Sequence, residues 1–334
     1  MNNYLKIVLL CSLFIFSGCI YLASAQDIQF TQYYASGTFL NPAFTGAEGC
    51  TRFSTINRKQ WNSFSGGYTT NVVTMEIPIS KGHNAVGLSL LSDVAGSGRL
   101  YSRSIKGLYS YTFFISRKHA FALGIDGTYT FRGADYSSYI FADQIVRGGN
   151  DISSVEIINL NNTSYLDFSS GILHYSDKYW IGISGHHLNR PNQSLTSQEA
   201  ELPIKYSMHG GYKFKLGRQT KDIFLSPSFN YKTQSKYDQF DLGMYYDYDG
   251  LIFGMWYRGI PIFKSYEPGE PNNDAVAAII GYSKNGYKVG YSYDVTISKL
   301  TTSSAGSHEL TFSYTHCSKK KKRKRKHIVP CAKF

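Results

Sequence analysis

Apolar and polar residues alternate with a period of two along most of the chain. Near its end, Tyr287, Val289, Tyr291, Tyr293 and Val295 alternate with Lys288, Gly290, Ser292 and Asp294. Leu310, Phe312 and Tyr314 then alternate with Glu309, Thr311, Ser313 and Thr315. Earlier, Phe121, Leu123, Ile125, Tyr129 and Phe131 are separated by Ala122, Gly124, Asp126, Thr128 and Thr130, and Phe240, Leu242, Met244, Tyr246 and Tyr248 by Asp241, Gly243 and Asp247. Successive side chains of a strand point to opposite faces, so each segment has one apolar, aromatic face and one small or polar face. The pattern predicts strands at 52–59, 68–79, 84–94, 100–115, 119–133, 164–175, 178–188, 205–216, 222–235, 238–248, 250–259, 274–284, 286–296 and 307–317. Lys284-Asn285-Gly286 and Asp249-Gly250 read as tight turns between them.

A soluble sandwich would bury the apolar faces, whereas an outer-membrane barrel turns them to lipid and collects aromatic residues at both interfaces. Composition favours the barrel. Charged residues make up 17% of the 334, well below the roughly 25% of an ordinary soluble domain. Tyr (28) outnumbers Phe (21) and tends to sit near strand ends. The strands run to about 10–15 residues, as a tilted membrane-crossing strand requires, and no internal apolar run reaches the roughly 18 residues of a membrane helix. The predicted fold is therefore all-β: a transmembrane antiparallel outer-membrane β-barrel of about 14 strands. An even strand number places both termini on one side, the periplasm. The long connections at 134–163, 189–204, 260–273 and 297–306 then all face outside. Residues 26–47 do not alternate, and Asn41-Pro42 and Thr45-Gly46 are turn chemistry; this segment is expected to plug the lumen or lie at its rim.

The two ends have their own character. Lys6 precedes an apolar run from Ile7 to Ala23, closed by Ala23-Ser24-Ala25, a secretory signal peptide with a small-x-small cleavage site. Lipoprotein processing at Cys19 competes with this, but the apolar run continues past it. The organisation expected is a signal peptide at 1–25, an N-terminal periplasmic or plug segment at 26–51, the barrel at 52–317 and a basic periplasmic tail at 318–334. Export leaves Cys50, Cys317 and Cys331, too few for a disulfide scaffold. Cys317 and Cys331 flank the tail and either close a loop there or stay as thiols. The net charge is +12, and Lys319, Lys320, Lys321, Lys322, Arg323, Lys324, Arg325 and Lys326 supply eight of those charges in one run. Such a run is solvated or bound to an anion: lipid headgroups, a cell-wall polymer or an acidic protein face. A plain stop to membrane passage is the alternative. An exported chain rarely meets DNA, so nucleic acid is not expected as a partner.

Candidate chemistry is sparse. His186 and His187 are adjacent, and neighbours on a strand point to opposite faces, so loop-anchoring hydrogen bonds are expected of them rather than a shared metal ion. Asp247 and Asp249 share a face without a further acidic ligand nearby, and read as a solvated or lumen-facing pair. No GxSxG, HExxH or Walker loop occurs. The expectation is a protein that is not an enzyme and carries no cofactor or metal. Arg190-Pro191-Asn192 and Trp256-Tyr257-Arg258 combine Arg with Pro or aromatics at strand–loop junctions, as interface anchors do and as rim residues do. His187, Asn189, Arg190, Pro191, Asn192, Trp256 and Arg258 are the candidate partner-binding residues. Arg58-Lys59-Gln60-Trp61 reads the same two ways.

The opening Gln26 to Gly46, QDIQFTQYYASGTFLNPAFTG, resembles the start of the PorP/SprF family, outer-membrane proteins of the type IX secretion system of gliding and pathogenic Bacteroidetes. The resemblance continues through Arg58-Lys59-Gln60-Trp61, Gly185-His186-His187-Leu188-Asn189-Arg190-Pro191-Asn192-Gln193, Leu202-Pro203-Ile204-Lys205-Tyr206, Leu225-Ser226-Pro227-Ser228 and Trp256-Tyr257-Arg258-Gly259-Ile260-Pro261. Gly290-Tyr291-Ser292-Tyr293-Asp294 and Gly306-Ser307-His308-Glu309-Leu310 also match, as does the closing Pro330-Cys331-Ala332-Lys333-Phe334, with Ala332 where the family usually has Pro. The resemblance implies a non-enzymatic barrel. PorP-like members link the outer membrane to the periplasmic secretion and gliding machinery and to a peptidoglycan-associated subunit. SprF-like members assist export of a large adhesin and hold it at the surface. The basic tail and the HHLNRPNQ stretch look more like the SprF side. A pore for a small solute is the alternative reading.

Overall fold

The computed structural model describes residues 27–33, 35–61, 63, 66–79, 83–96, 99–135, 142–147, 161–196, 198–216, 222–260, 274–297 and 305–317. Among them are β1 (Thr51–Gln60), β2 (Tyr68–Ile79), β3 (Asn84–Ala95), β4 (Leu100–Phe114), β5 (Ala120–Ala134), β6 (Thr163–Tyr175) and β7 (Tyr179–His186). There follow β8 (Lys205–Tyr212, resuming at Phe214–Lys215 after a break at Lys213), β9 (Ile223–Gln234), β10 (Tyr237–Tyr248), β11 (Leu251–Ile260), β12 (Ala275–Lys284), β13 (Tyr287–Thr296) and β14 (Ser307–His316). Each strand pairs antiparallel with the next in sequence, and β14 returns to β1, with Thr51 opposite His316 and Gln60 opposite Ser307. Among the described residues this is a closed barrel of fourteen strands. Closure gives every strand a partner on both sides, the condition for a sheet to stand in hydrocarbon.

The period-two pattern sorts the two faces. Ile183 (58% exposed) and Met255 (64%) belong to the apolar outer surface, while Ser110, Asp126, Ser169 and Ser226 are buried on the inner one. The joints at 249–250 and 285–286 have both residues at positive φ (Asp249 52°, Gly250 90°; Asn285 54°, Gly286 85°), the conformation of a two-residue hairpin that follows the strand twist. These short joints share the end of the barrel where β1 begins and β14 stops. The long connections after β5, β7, β11 and β13 leave the other end; α2 (Ala142–Val146) lies in the first of them.

Residues 27–33 and 35–47 lie within the barrel, where α1 (Gly37–Leu40) leads into a 3-10 turn at Pro42–Phe44. Phe30, Tyr33 and Ala35 pack with Ile56, Val72, Tyr245, Ile252 and Trp256. Ala43 and Ala47 pack with Ala120, Ala122, Leu173, Tyr175 and Trp180. The inner face is therefore not uniformly small and polar: large aromatics turn inward where this segment offers them an apolar contact.

The cysteines depart from expectation. Cys50 is bonded to Cys317, not Cys317 to Cys331. The register explains it: Thr51 faces His316 across the β1–β14 seam, so the residues just outside them are brought together, with Cα atoms 4.7 Å apart. Cys331, the signal-peptide stretch and the basic tail lie outside the described residues. Replacing the pair (Cys50→Ala with Cys317→Ala) should leave a barrel that inserts but is less stable by about 2–4 kcal/mol, read as a lower midpoint in a heat-modifiability gel shift.

Candidate functional site

Two carboxylates on neighbouring strands, Asp294 on β13 and Glu309 on β14, point inward and are closed off from solvent (1% and 0% exposed). Charge in such a place needs a full set of partners. Arg58 on β1 reaches both, at 2.9 Å to Asp294 and 3.1 Å to Glu309. Arg258 on β11 reaches Asp294 at 3.0 Å. The remaining bonds come from the N-terminal segment. The Thr31 hydroxyl donates to Asp294 at 2.7 Å and accepts from Arg58 at 2.8 Å and Arg258 at 3.1 Å. The backbone N–H groups of Thr31 and Gln32 donate to the two oxygens of Glu309 at 2.8 and 2.9 Å. The Gln32 side chain donates to the Glu309 carbonyl at 3.0 Å and accepts from Thr311 at 2.6 Å. Nearby, the Tyr33 hydroxyl donates to Asp241 at 2.7 Å while its ring lies against Trp256.

A second anchor lies across the lumen. Asn41 caps the 3-10 turn by accepting from the Ala43 N–H at 2.8 Å and donates to the backbone carbonyls of Ile172 and Ile183. The fit requires glycine in the wall. A Cβ on Gly124 would stand 2.1 Å from the Ala43 nitrogen, and one on Gly171 2.1 Å from the Asn41 side-chain oxygen. Leu40, Thr45 and Gly46 are tied by Ser184, Ser110 and Glu76 respectively. The segment is thus bonded to opposite walls and fills the lumen between them.

Towards the long loops the lumen widens into a vestibule of about 470 Å³, lined among others by Arg58, Arg132, Asp167, His187, Lys205 and Arg258. A smaller cavity of about 110 Å³ beside β8, β9 and β10 shares Asp27 and Lys205 with it. Asp27 marks the junction: it accepts from Lys205 and contacts His187 Nε2 at 2.8 Å, while His187 Nδ1 meets Asp167 at 2.7 Å. Burial alone would push the His187 imidazole down, but hydrogen bonds to Asp167 and Asp27 outweigh it and raise it to about 8. Burial would raise Asp27, but the Lys205 ammonium and His187 hold it well below the usual carboxylate range.

The candidate residues separate into three groups. Trp256 and Arg258 (1% and 3% exposed) are not at an exposed junction: they line the lumen, facing Tyr33 and Asp294, and the expectation of an exposed partner surface is corrected for both. His186 and His187 do not point to opposite sides. β7 ends at His186, which contacts the Leu40 carbonyl at 3.2 Å. His187 has φ 59°, which turns its ring back over the same vestibule. Asn189 serves as a stand-in for strand pairing, accepting from the Phe168 N–H and donating to the Leu166 carbonyl where β6 outruns β7. Pro191 is buried, and the Asn192 side chain accepts from Ser194 and Ala200 within its loop; Arg190 is exposed. The run Lys319–Lys326 lies outside the described residues. Asp247 closes its own turn by accepting from Gly250 at 2.9 Å. The residues not picked out as a site were Thr31, Gln32, Asp294 and Glu309. Their signal was present: Asp294 and Glu309 stand on the inward register of strands whose other inward residues are mostly small or hydroxylic.

Closed antiparallel sheet, apolar outer surface and polar, filled interior define an outer-membrane β-barrel. The chain belongs to the type IX secretion system membrane protein PorP/SprF family, whose model matches residues 22–314. No match was found among curated proteins. Similar solved structures include CdiB from Acinetobacter baumannii, at 9% identity over 80% of this chain and 60% of that one, TM-score 0.44. A Pseudomonas aeruginosa FadL homologue has 13% identity over 84% and 93%, TM-score 0.40. The TodX monoaromatic hydrocarbon channel deltaS2S3 mutant has 10% identity over 84% and 92%, TM-score 0.45.

The Asp27 contacts predict a pH response. The His187 contribution, from a raised value, is complete below the ordinary histidine range near 6.5 and is lost as pH rises through about 8. The Asp27 contribution, from a lowered value, is present above the ordinary carboxylate range and is lost only in acid. Amide exchange at residues 27–29, corrected for its intrinsic pH dependence, should therefore increase between pH 7 and 9. His187→Gln should remove most of that increase; Lys205 keeps some protection at every pH in this range.

Proposed function

We propose that this chain is a sealed anchoring barrel of the type IX secretion apparatus. Its N-terminal segment closes the lumen to solutes. Its termini face the periplasm, where the run Lys319–Lys326 engages secretion and gliding components, a peptidoglycan-associated subunit among them. Its long loops face outside and retain an exported adhesin through that protein's C-terminal domain, with Arg190 and Asn192 on the accessible part of that surface. The observation that carries this reading is the bonding of Thr31 and Gln32 to Asp294 and Glu309, which a mobile gate or an open channel would not need.

Conductance tests the seal. In planar bilayers the full chain should be silent. Gly124→Val with Gly171→Val, which places side-chain carbon where Ala43 and Asn41 sit, should give stepwise currents from a barrel that still shows a heat-modifiable band. Steady current from the unaltered chain would support the solute-pore alternative instead.

The tail is tested by removing Ser318–Phe334. Membrane insertion should persist and coupling to the partner proteins should be lost. Undiminished adhesin display after that deletion would separate the tail from the function.

A further inference from the structure

Among the described residues, one level near the loop end of the largely apolar outer face carries a contiguous polar sector. Three residues in from the loop end of each strand, the outward side chains on the flanking strands are Leu310 on β14 and Phe131, Leu166, Ile183 and Met208 on β5 to β8. On β1 to β4 the same level carries Asn57, Asn71, Ser92 and Arg103. These four are direct neighbours in the ladder: Asn57 faces Asn71, Asn71 faces Ser92, and Ser92 faces Arg103. The Asn57 and Asn71 side chains are hydrogen-bonded to each other at 2.6 Å on the outside of the barrel. Two residues nearer the loop end, Lys59 faces Thr69. Arg103 lies over the Tyr101 ring, 5.4 Å from its centre.

Polar side chains at a level that is elsewhere apolar need a partner that is polar too. The chemistry of the sector says which. Both of its charges are positive, and Lys59 and Arg103 are both exposed. The acidic residues of these four strands, Glu76 and Asp93, face inward and are engaged there by Gly46 and Thr70. A second copy of the same face would set cation against cation. Between the cations stand amide and hydroxyl groups, which can donate to and accept from sugar hydroxyls. Lys59 and Arg103 are three ladder steps and two residues apart, about 15 Å, a span that long cationic side chains close upon a phosphorylated disaccharide.

We propose that the outward face of β1–β4 is a binding site for a phosphorylated glycolipid of the outer leaflet, of the lipopolysaccharide class. Lys59 and Arg103 take its phosphates, and Asn57, Asn71, Ser92 and Thr69 take its sugar hydroxyls. Its acyl chains run down the apolar surface below, along Val73, Leu90 and Ile105. The inference rests on the outward orientation of the long loops proposed above.

The test uses the full chain purified in detergent, titrated with bis-phosphorylated lipid A, with dephosphorylated lipid A and with phosphatidylglycerol, and read by native mass spectrometry. Binding of bis-phosphorylated lipid A should exceed that of the other two by about tenfold or more, and Lys59→Ala with Arg103→Ala should remove that margin. The heat-modifiable band shows whether this variant is folded. Asn57→Leu with Asn71→Leu, which makes the surface more apolar, keeps the test open if it is not, and should also weaken lipid A binding. Equal binding of lipid A and phosphatidylglycerol, or unchanged binding by a folded variant, would overturn the site. A photo-crosslinker at position 71 in intact cells should label glycolipid; a protein adduct there would replace the lipid with a lateral protein contact. The detergent titration reads the site whichever way the barrel sits in the membrane, whereas protease access to the long loops on whole cells reads the orientation, so the two ideas fail separately.

Discussion

A sheet that closes on itself in lipid must send every second side chain inward, and whatever arrives there has to be satisfied without help from the outside. In this barrel the inward set includes two carboxylates and two guanidinium groups brought together from β1, β11, β13 and β14. Removing four charges from water is unfavourable unless each finds enough partners. The wall alone does not provide them. The Thr31 hydroxyl and the Thr31 and Gln32 N–H groups supply further partners, and with them the N-terminal segment becomes part of the barrel rather than an appendage to it.

That dependence runs in both directions along the chain. Arg58 and Glu309 come together only when β14 has closed on β1, so the site for Thr31 exists only in the closed barrel. The Cys50–Cys317 bond fastens the same seam at its other end. Closure, cross-linking and docking of the segment are therefore coupled: each stabilises the arrangement that the others require. The opposite wall is fitted to the same segment by subtraction. Gly124, Gly171, Ala120 and Ala122 leave the space that Asn41 to Phe44 fill, and a larger residue at either glycine would collide with the segment's backbone or with Asn41.

Much of this could be read before any coordinates. All fourteen strands follow from alternation, and two of the two-residue joints follow from Asp-Gly and Asn-Gly, because both signals are local and carry a fixed backbone geometry. What escaped was long-range or broke the local rule. Trp256 and Arg258 looked like surface anchors because their burial depends on Tyr33 and Asp294, which lie far away in sequence. The sequence leaves Cys317 either paired with its near neighbour Cys331 or free, whereas its register partner across the seam is Cys50. His187 failed for a local reason: alternation stops when a strand stops, and one positive φ returned the ring to the side its neighbour already faced. Asp294 and Glu309 were visible as inward acids, but nothing in their own strands names the partner.

The resulting molecule is polarised from end to end. At the end with short joints, the segment from Asn41 to Gly46 is bound to β2, β4, β6 and β7. At the other end the lumen opens into a vestibule where charged groups of both signs face one another and Asp27 joins the segment to the rim. A conduit needs a polar path with groups that release what they bind. Here the charged groups that line the path near its loop end are spent on the segment itself, bonded at 2.7–3.1 Å and excluded from water. Transport would have to pull Thr31 and Gln32 out of a neutralised charge cluster and leave their hydrogen bonds to its buried carboxylates and guanidinium groups unmade. An anchor makes no such demand, since its work is done by surfaces at the two ends, held at a fixed separation by a barrel whose interior does not change.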